Sequence, residues 1–174
     1  MKKKFYSGKG ARSKTEKAIV SILWFSGLFF LAGCASFGAN RTETGSIILG
    51  QPKAEISETA LKPGLAVVYV HGFWRNLYEM PSEERAGRIG YKGEPIENLN
   101  HRFGQGVVFG SGRSKGVGVY LDGFIKFEKP GNYGFQARTN DGFRLTINGE
   151  KIIEDSIMHS DRLSGMESVF VSKA

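Results

Sequence analysis

The chain has 174 residues and a formal net charge of +7, enough sequence for one domain of ordinary size and a targeting segment. Residues 1–33 carry seven basic groups against the single acid Glu16, which leaves 17 basic and 16 acidic groups in residues 34–174. The basic excess therefore belongs to the N-terminal segment, and the nearly neutral remainder lacks the charge that nucleic-acid binding requires. We expect no nucleic-acid partner.

A basic stretch ends at Lys17 and is followed by an apolar run over residues 18–32, AIVSILWFSGLFFLA. At about 1.5 Å of rise per residue, this run is too short to cross a hydrocarbon core of about 30 Å as a helix. Its length fits the apolar region of a signal peptide instead. An uncleaved, tilted signal anchor stays open as an alternative, because the basic segment before the run is unusually long.

The apolar run ends in Leu31-Ala32-Gly33-Cys34, which resembles the lipobox of bacterial lipoproteins. The resemblance implies that residues 1–33 are a signal peptide, cleaved before Cys34, and that this single cysteine carries a diacylglycerol and an acylated amine. Acyl chains contribute about 0.8 kcal/mol per buried methylene, so several together anchor a protein firmly. Ala35 replaces the aspartate typical of inner-membrane retention. This favours the outer membrane over the outer face of the cytoplasmic membrane.

Residues 34–60 follow the predicted cleavage site and are mostly small and polar. A brief apolar patch at residues 47–49 is the exception. Such a composition is typical of a segment that cannot bury enough apolar surface to fold alone. We therefore predict that residues 34–60 form a lipidated cysteine and a flexible tether.

Residues 61–174 have the composition of a β domain almost throughout. Residues 65–70 are an apolar, β-branched run typical of a buried strand, and only residues 82–88 favour a helix. The glycine-dense residues 104–118 are expected to form a flexible loop or a bulged strand. From residue 117 to 154, apolar and polar residues alternate between three turns, the last of which, Asn148-Gly149, favours a tight hairpin. The pattern predicts an antiparallel meander within an all-β barrel or sandwich.

Three stretches of this segment follow one another in the order of a known family's motifs. They are GNYGF at 131–135, TNDGFRL at 139–145 and INGEKII at 147–153. They resemble the core of the PA-fourteen domain, the β-barrel module named from the N-terminal region of the anthrax protective antigen. The likeness covers residues 61–174 and implies an antiparallel β-barrel or sandwich. Family members usually continue for two or three further strands, so the resemblance implies a barrel that lacks its last strands and has an exposed edge.

The resemblance also places a ligand site at Asn140 and Asp141, where the family has paired aspartates. In fungal adhesins of this family such a pair binds calcium, which bridges to sugar hydroxyls. Calcium prefers six to eight hard oxygen ligands, and the exchange of one aspartate for asparagine removes a charge. Asn-Asp-Gly is also ordinary turn chemistry, so a purely structural turn stays open. Trp74 and Tyr120 are candidate aromatic faces for a sugar ring.

A serine hydrolase is the enzymatic alternative. Residues 112–116, GRSKG, fit the G-x-S-x-G pattern around Ser114, and His159 with Asp155 or Asp161 would complete a triad. Residues 67–73, VVYVHGF, resemble the strand and His-Gly turn of α/β-hydrolases. However, strand alternation continues after Ser114 where that fold needs a helix, and residues 61–174 are too few for a doubly wound sheet. We therefore predict a non-catalytic domain.

These features predict a membrane-anchored binding module outside the cytoplasm, with carbohydrate as its ligand. The alternative is a structural or assembly role in the cell envelope, in which the domain binds another protein. Both hypotheses need the lipid anchor at Cys34, and they differ in the chemistry of the partner. A β fold by itself does not decide between them, because one fold hosts many functions.

Overall fold

The computed structural model describes residues 5–8, 18–24, 46–49, 60–102 and 104–172, with only the backbone for the first two ranges. Strands account for 47% of the structure and helices for little, which confirms the all-β prediction. The strands form one sheet of eight strands, one of three and one of two. These sheets do not close into a barrel. The predicted barrel is therefore wrong for the part of the chain that the structure describes.

The strands are β1 (Phe5–Gly8), β2 (Ala18–Trp24), β3 (Ile47–Ile48), β4 (Leu61–Pro63), β5 (Leu65–His71), β6 (Tyr91–Ile96), β7 (Val117–Ile125), β8 (Gly131–Phe135), β9 (Arg138–Thr139), β10 (Phe143–Ile147), β11 (Glu150–Asp155), β12 (Arg162–Leu163) and β13 (Glu167–Val171). A 3-10 turn (Leu77–Glu79) and one helix, α1 (Glu83–Ile89), lie between β5 and β6. Among the described residues, no helix has the length and apolar character to cross a membrane.

The eight-stranded sheet is organised around β7, its longest strand. On one side β7 pairs antiparallel with β5, which pairs with β6. On the other side β7 pairs antiparallel with β2, and the far edge of β2 pairs with β10, which forms a hairpin with β11. β1 joins the end of β7 to β4. The second sheet has the order β3-β13-β8 and the small third sheet pairs β9 with β12.

The main core lies between the eight-stranded and the three-stranded sheets. Val119 and Leu121 of β7 enter it from one side, and Phe135, Val169 and Val171 enter from the other. A smaller cluster covers the opposite face of the large sheet and holds the 3-10 turn and α1; it contains Val70, Leu77, Met80, Ala86 and Tyr120. β7 is therefore buried on both faces, as expected for a central strand.

The strands β1 and β2 fall inside the predicted signal peptide, residues 1–33. These strands pair in a chain that still contains residues 1–33, so their pairing does not test whether the chain is cleaved before Cys34. Cleavage stays a prediction. Cys34 itself lies outside the described residues. In the uncut chain, Ala18–Trp24 lies between β7 and β10 in the large sheet.

Residues 46–49 differ from the flexible tether predicted for residues 34–60. β3 pairs parallel with β13, and Ile47 and Leu49 are both buried in the main core. Ser46, also buried, donates a hydrogen bond from its hydroxyl to Asn132 Oδ1 at 3.0 Å. The apolar patch that interrupts the polar composition explains the difference, because it gives this short segment apolar surface to bury.

The predicted meander is confirmed only in its last hairpin. The β10–β11 turn has positive φ at Asn148 and Gly149, 51° and 79°, as an Asn-Gly hairpin requires. β8, by contrast, pairs with β13, whose residues lie 32 to 40 positions later, rather than with its sequence neighbours. A local alternation pattern predicts that β8 is a strand but carries no information about a partner so distant in sequence.

The glycine-dense residues 104–118 pack against the domain through a few fixed points. Val108 is fully buried, and its N–H donates to the Arg113 carbonyl at 2.8 Å. The hydroxyl of Tyr69 accepts a hydrogen bond from the Gly110 N–H at 3.1 Å. Residues 104–116 therefore form a loop, as one of the two predicted alternatives, whereas residues 117 and 118 begin β7. The Tyr69 contact ties this loop to β5.

The predicted helical segment is confirmed as α1. The helix begins after Ser82, whose hydroxyl accepts a hydrogen bond from the Arg85 N–H at 3.3 Å. It ends at Gly90, whose N–H donates to the Ala86 carbonyl at 2.8 Å. The fully buried Ala86 attaches the helix to the smaller cluster.

Two glycines of this region give a matched pair of predictions. A Cβ at Gly90 would lie 2.5 Å from the Tyr69 carbonyl oxygen, whereas a Cβ at Gly87 would meet nothing within 4 Å. We expect Gly90→Ala to destabilise the chain by about 1–3 kcal/mol through overpacking. Gly87→Ala should stabilise it by about 0.5–1 kcal/mol through helix propensity. Urea denaturation of both variants measures this, and equal changes of the same sign would contradict the packing described here.

Candidate functional site

The 140–142 turn, where the sequence predicted a ligand site, lies between the end of β11 and the 3-10 turn. Asn140 is half-buried, and Asp141 is buried with 1% of its surface exposed. A Cβ on Gly142 would lie 3.1 Å from both Leu77 Cγ and the Ser156 carbonyl oxygen. Asn140 thus lies nearest the surface, and a ligand would reach the Asp141 carboxylate only if the turn opened.

The neighbouring 3-10 turn is fixed by hydrogen bonds to its own cap and to the chain after β11. Asn76 Oδ1 accepts from the Tyr78 N–H at 2.8 Å and from the Glu79 N–H at 3.2 Å. The Leu77 N–H donates to the Ser156 carbonyl at 2.8 Å. Leu77 is buried while Tyr78 is 68% exposed. The turn thus presents an aromatic ring to solvent on a fixed backbone, next to the 140–142 turn.

An ion-pair network supports the ring of Tyr78. The guanidinium carbon of Arg144 lies 5.2 Å from the ring centroid, within the range of a cation–π contact. Arg144 Nε donates to Glu154 Oε1 at 2.7 Å, and Lys151 Nζ pairs with the other oxygen of the same carboxylate. Because Arg144 is held by Glu154, the guanidinium limits the positions that the ring of Tyr78 can adopt.

Glu154 links this network to the pH dependence of stability. Desolvation raises the pKa of the Glu154 carboxyl, but hydrogen bonds and charges from Lys151 and Arg144 outweigh it and leave the pKa below its usual value of 4.5. A carboxylate with a depressed pKa stabilises the folded state above its unfolded pKa, and this contribution is lost as the pH falls through the folded pKa.

We therefore expect Glu154→Gln to lower the free energy of unfolding by about 1 kcal/mol at pH 7. The difference from the unsubstituted protein should shrink as the pH falls below 4.5, the ordinary pKa of this carboxyl. Urea denaturation at a series of pH values measures both effects. Glu128→Gln, at an exposed position, is the control. A pH-independent difference for Glu154→Gln would contradict the assigned role of its charge.

The two aromatic residues predicted to contact sugar are less accessible than Tyr78. Trp74 is half-buried, and its ring covers Gly72 and Gly118, where added Cβ atoms would lie 2.4 and 3.2 Å from it. Tyr120 is 9% exposed, and its hydroxyl donates a hydrogen bond to the Pro81 carbonyl. Burial, together with the nearby charge of Glu83, raises the pKa of the Tyr120 phenol to about 12. Both rings pack in the smaller cluster.

Tyr78 was missed by the sequence analysis, although a local signal was present. Asn76 is followed three residues later by Glu79, and the side chains meet: Asn76 Nδ2 donates to Glu79 Oε1 at 3.0 Å, and Glu79 Oε2 accepts from the Arg75 N–H at 2.8 Å. This is a variant of the reciprocal cap that begins a helical turn. The pattern predicts an ordered turn but does not show which of its side chains faces solvent.

The residues of the hydrolase alternative do not form the structure that alternative requires. Ser114 is exposed, and the strand β7 begins three residues later at Val117, where a nucleophile elbow needs a helix. His159 Nε2 lies 3.0 Å from Asp155 Oδ2, but this carboxylate also accepts from Arg162 at 2.6 Å. The structure therefore brings His159 and Asp155 together beside Arg162, but Ser114 lies in a loop that leads into a strand and not into the helix that a nucleophile elbow needs.

Calcium at the 140–142 turn has little support from the donor set. Among the described residues, no group of three or more histidine, cysteine, aspartate or glutamate side chains could hold a metal ion. Calcium takes six to eight oxygen ligands, usually with several carboxylates. A calcium ion here would depend on Asp141 with amide, main-chain and water oxygens. The residues present therefore fit the ion poorly, and we assign it no part in recognition.

Comparisons with protein-family models, with curated proteins and with solved structures found no match to this chain. The likeness to the PA-fourteen domain thus depends on the three motifs quoted above. In the structure those motifs become β8, the 140–142 turn with β10, and the β10–β11 hairpin.

Proposed function

We propose that this chain is a membrane-tethered, non-catalytic module that binds carbohydrate outside the cytoplasm. The observation that carries the proposal is the exposed ring of Tyr78, held on a capped turn beside the polar 140–142 turn. Sugars present apolar C–H faces and a rim of hydroxyls. An aromatic ring next to amide groups complements both parts of such a ligand.

The proposed contacts divide between two elements. The face of Tyr78 would pack against a sugar ring, and the Asn140 amide, which can donate and accept hydrogen bonds, would orient its hydroxyls. Arg144 and Glu154 would act as positioning residues that hold Tyr78. The resemblance to the PA-fourteen domain supports the same turn as the ligand site, with the asparagine rather than a second aspartate at residue 140.

The tether of this proposal is a lipid on Cys34. It is supported by the basic segment that ends at Lys17, the apolar run over residues 18–32, and the Leu31-Ala32-Gly33-Cys34 sequence. With Ala35 after the cysteine, the proposed location is the outer membrane, and the outer face of the cytoplasmic membrane is the alternative. A module held there has access to envelope and extracellular glycans.

A glycan array probed with the detergent-extracted protein, with and without a calcium chelator, tests carbohydrate binding. We expect binding that persists in chelator, because the site lacks a carboxylate cluster. Tyr78→Ala should weaken binding about tenfold, the effect of about 1.4 kcal/mol of lost ring contact. Tyr91→Ala is the control, since Tyr91 lies on β6 against His71. Equal losses in both variants would contradict a site at Tyr78.

A role in binding an envelope protein is the second candidate function. Several apolar side chains of the folded region are more than half exposed, among them Phe73, Leu163 and Met166. Exposed apolar side chains mark protein contacts where they form a contiguous patch, so this role requires that some of these side chains lie together. If no glycan binds with or without chelator, the carbohydrate proposal is wrong, and the protein-binding role becomes the better account of these surfaces.

A further inference from the structure

The strand β2 occupies a position that the proposed cleavage would empty. It pairs with β7 at seven positions, from Ala18 opposite Gly123 to Trp24 opposite Val117, and with β10 at four. β2 is antiparallel to both neighbours, so β7 and β10 run parallel to each other on either side of it. Cleavage before Cys34 would remove β1 and the whole of β2, and the loss of β2 would leave a gap one strand wide between β7 and β10.

The gap would expose backbone groups that are costly to leave unpaired. Successive residues of an antiparallel strand direct their N–H and C=O groups to alternate neighbours. Alternate residues of β7 over 117–123 and of β10 over 143–146 therefore direct these groups toward β2. With β2 in place, the side chains of Val117, Val119 and Leu121 are at most 1% exposed, so this edge lies in the interior of the uncut chain and would be uncovered when β2 is removed. Unpaired N–H and C=O groups at an open sheet edge favour the addition of a new strand.

The neighbouring strands define the chemistry of a segment that would fit. With strands about 4.8 Å apart, the gap accepts one extended segment, antiparallel to both β7 and β10. Because β7 is covered on both faces, that segment should be apolar on both faces. The sequence AIVSILW of β2 has this character, with Ser21 as its single polar residue.

We propose, on the premise that the chain is cleaved before Cys34 as in the proposed function, that the processed domain binds an extended apolar segment of another protein between β7 and β10. A second copy of this chain is a poorer donor, because processing removes its Ala18–Trp24 segment as well. The remaining long apolar run, residues 65–70, already forms β5. The partner is therefore a different polypeptide that contributes a strand of about seven residues, a form of β-strand addition.

The test compares the processed protein extracted from membranes with the Cys34→Ser precursor, which keeps its leader. The probe is a synthetic peptide of sequence AIVSILW with lysines added at both ends. We expect the peptide to bind the processed protein and to slow hydrogen exchange over residues 117–123 and 143–146 at least about tenfold. The precursor should show slow exchange without the peptide and should not bind it. A peptide with proline in place of Val20 should fail to bind, because proline cannot donate to the sheet.

Exchange over β8 and β13 serves as the internal control, because these strands pair with each other and not with β2. If the processed protein protects residues 117–123 as well as the precursor does without any added chain, the inference is wrong. It is also wrong if β8 and β13 lose protection and the peptide does not restore it. The mass of the extracted protein distinguishes failure of the cleavage from failure of strand binding. A chain that still contains residues 1–33 would contradict cleavage before Cys34, and no gap would then exist between β7 and β10.

Discussion

Replacing Cys34 with serine is expected to abolish the incorporation of labelled fatty acid and to leave residues 1–33 attached to the protein. A thiolate is a far better nucleophile than a hydroxyl, so the residue that accepts the lipid is lost. By the lipobox resemblance, cleavage follows lipidation and is lost with it. The expected effect is complete rather than graded, because the chain has one cysteine.

Labelling of cells with radioactive palmitate, followed by isolation of the protein and measurement of its size, tests this expectation. Ser36→Ala is the control, since it changes a nearby residue without touching the Leu31-Ala32-Gly33-Cys34 sequence. Label retained by Cys34→Ser would refute the anchor. An unlabelled wild-type protein that keeps residues 1–33 would support the uncleaved signal anchor instead.

Leu121→Ala is expected to cause a large loss of stability. Leu121 is 1% exposed at the centre of β7, where β5 and β2 pair with the same residue from opposite sides. Truncation of a buried leucine costs about 2–5 kcal/mol through lost burial and the cavity left behind. For a domain with 5–15 kcal/mol of total stability, this is a large share.

Urea denaturation of the Cys34→Ser chain and of the same chain carrying Leu121→Ala measures this loss. Leu163→Ala is the matched control, because Leu163 is 58% exposed and its truncation should change stability by less than about 0.5 kcal/mol. Similar losses for the two leucines would show that β7 is not the central strand of the core.

The parts of the fold that local sequence determines were predicted well. The β-branched run of β5, the composition of α1 and the Asn-Gly turn of the β10–β11 hairpin each report on a few neighbouring residues. The pairings of β8 with β13 and of β3 with β13 join distant segments. Their determinants are packing contacts between sheets, which alternation within one strand does not encode.

The same limit applies to the candidate site. The sequence indicated the 140–142 turn, and the structure places it beside the 3-10 turn. It also indicated Trp74 and Tyr120 as exposed rings, although both pack in the smaller cluster. Whether an aromatic residue faces solvent depends on which other segments cover it. Tyr120 lies beneath the segment that follows the 3-10 turn, and its hydroxyl donates a hydrogen bond to the Pro81 carbonyl. Tyr78 lies on the outside of the same turn and is exposed.

Mass spectrometry of the N-terminal peptide from the membrane-extracted protein tests the central claim, a lipid tether on a folded β domain, most directly. We expect a peptide that begins at Cys34 and carries a diacylglyceryl group on sulfur with a further acyl chain on the amine. A peptide that begins upstream of Cys34, or an unmodified Cys34, would contradict it.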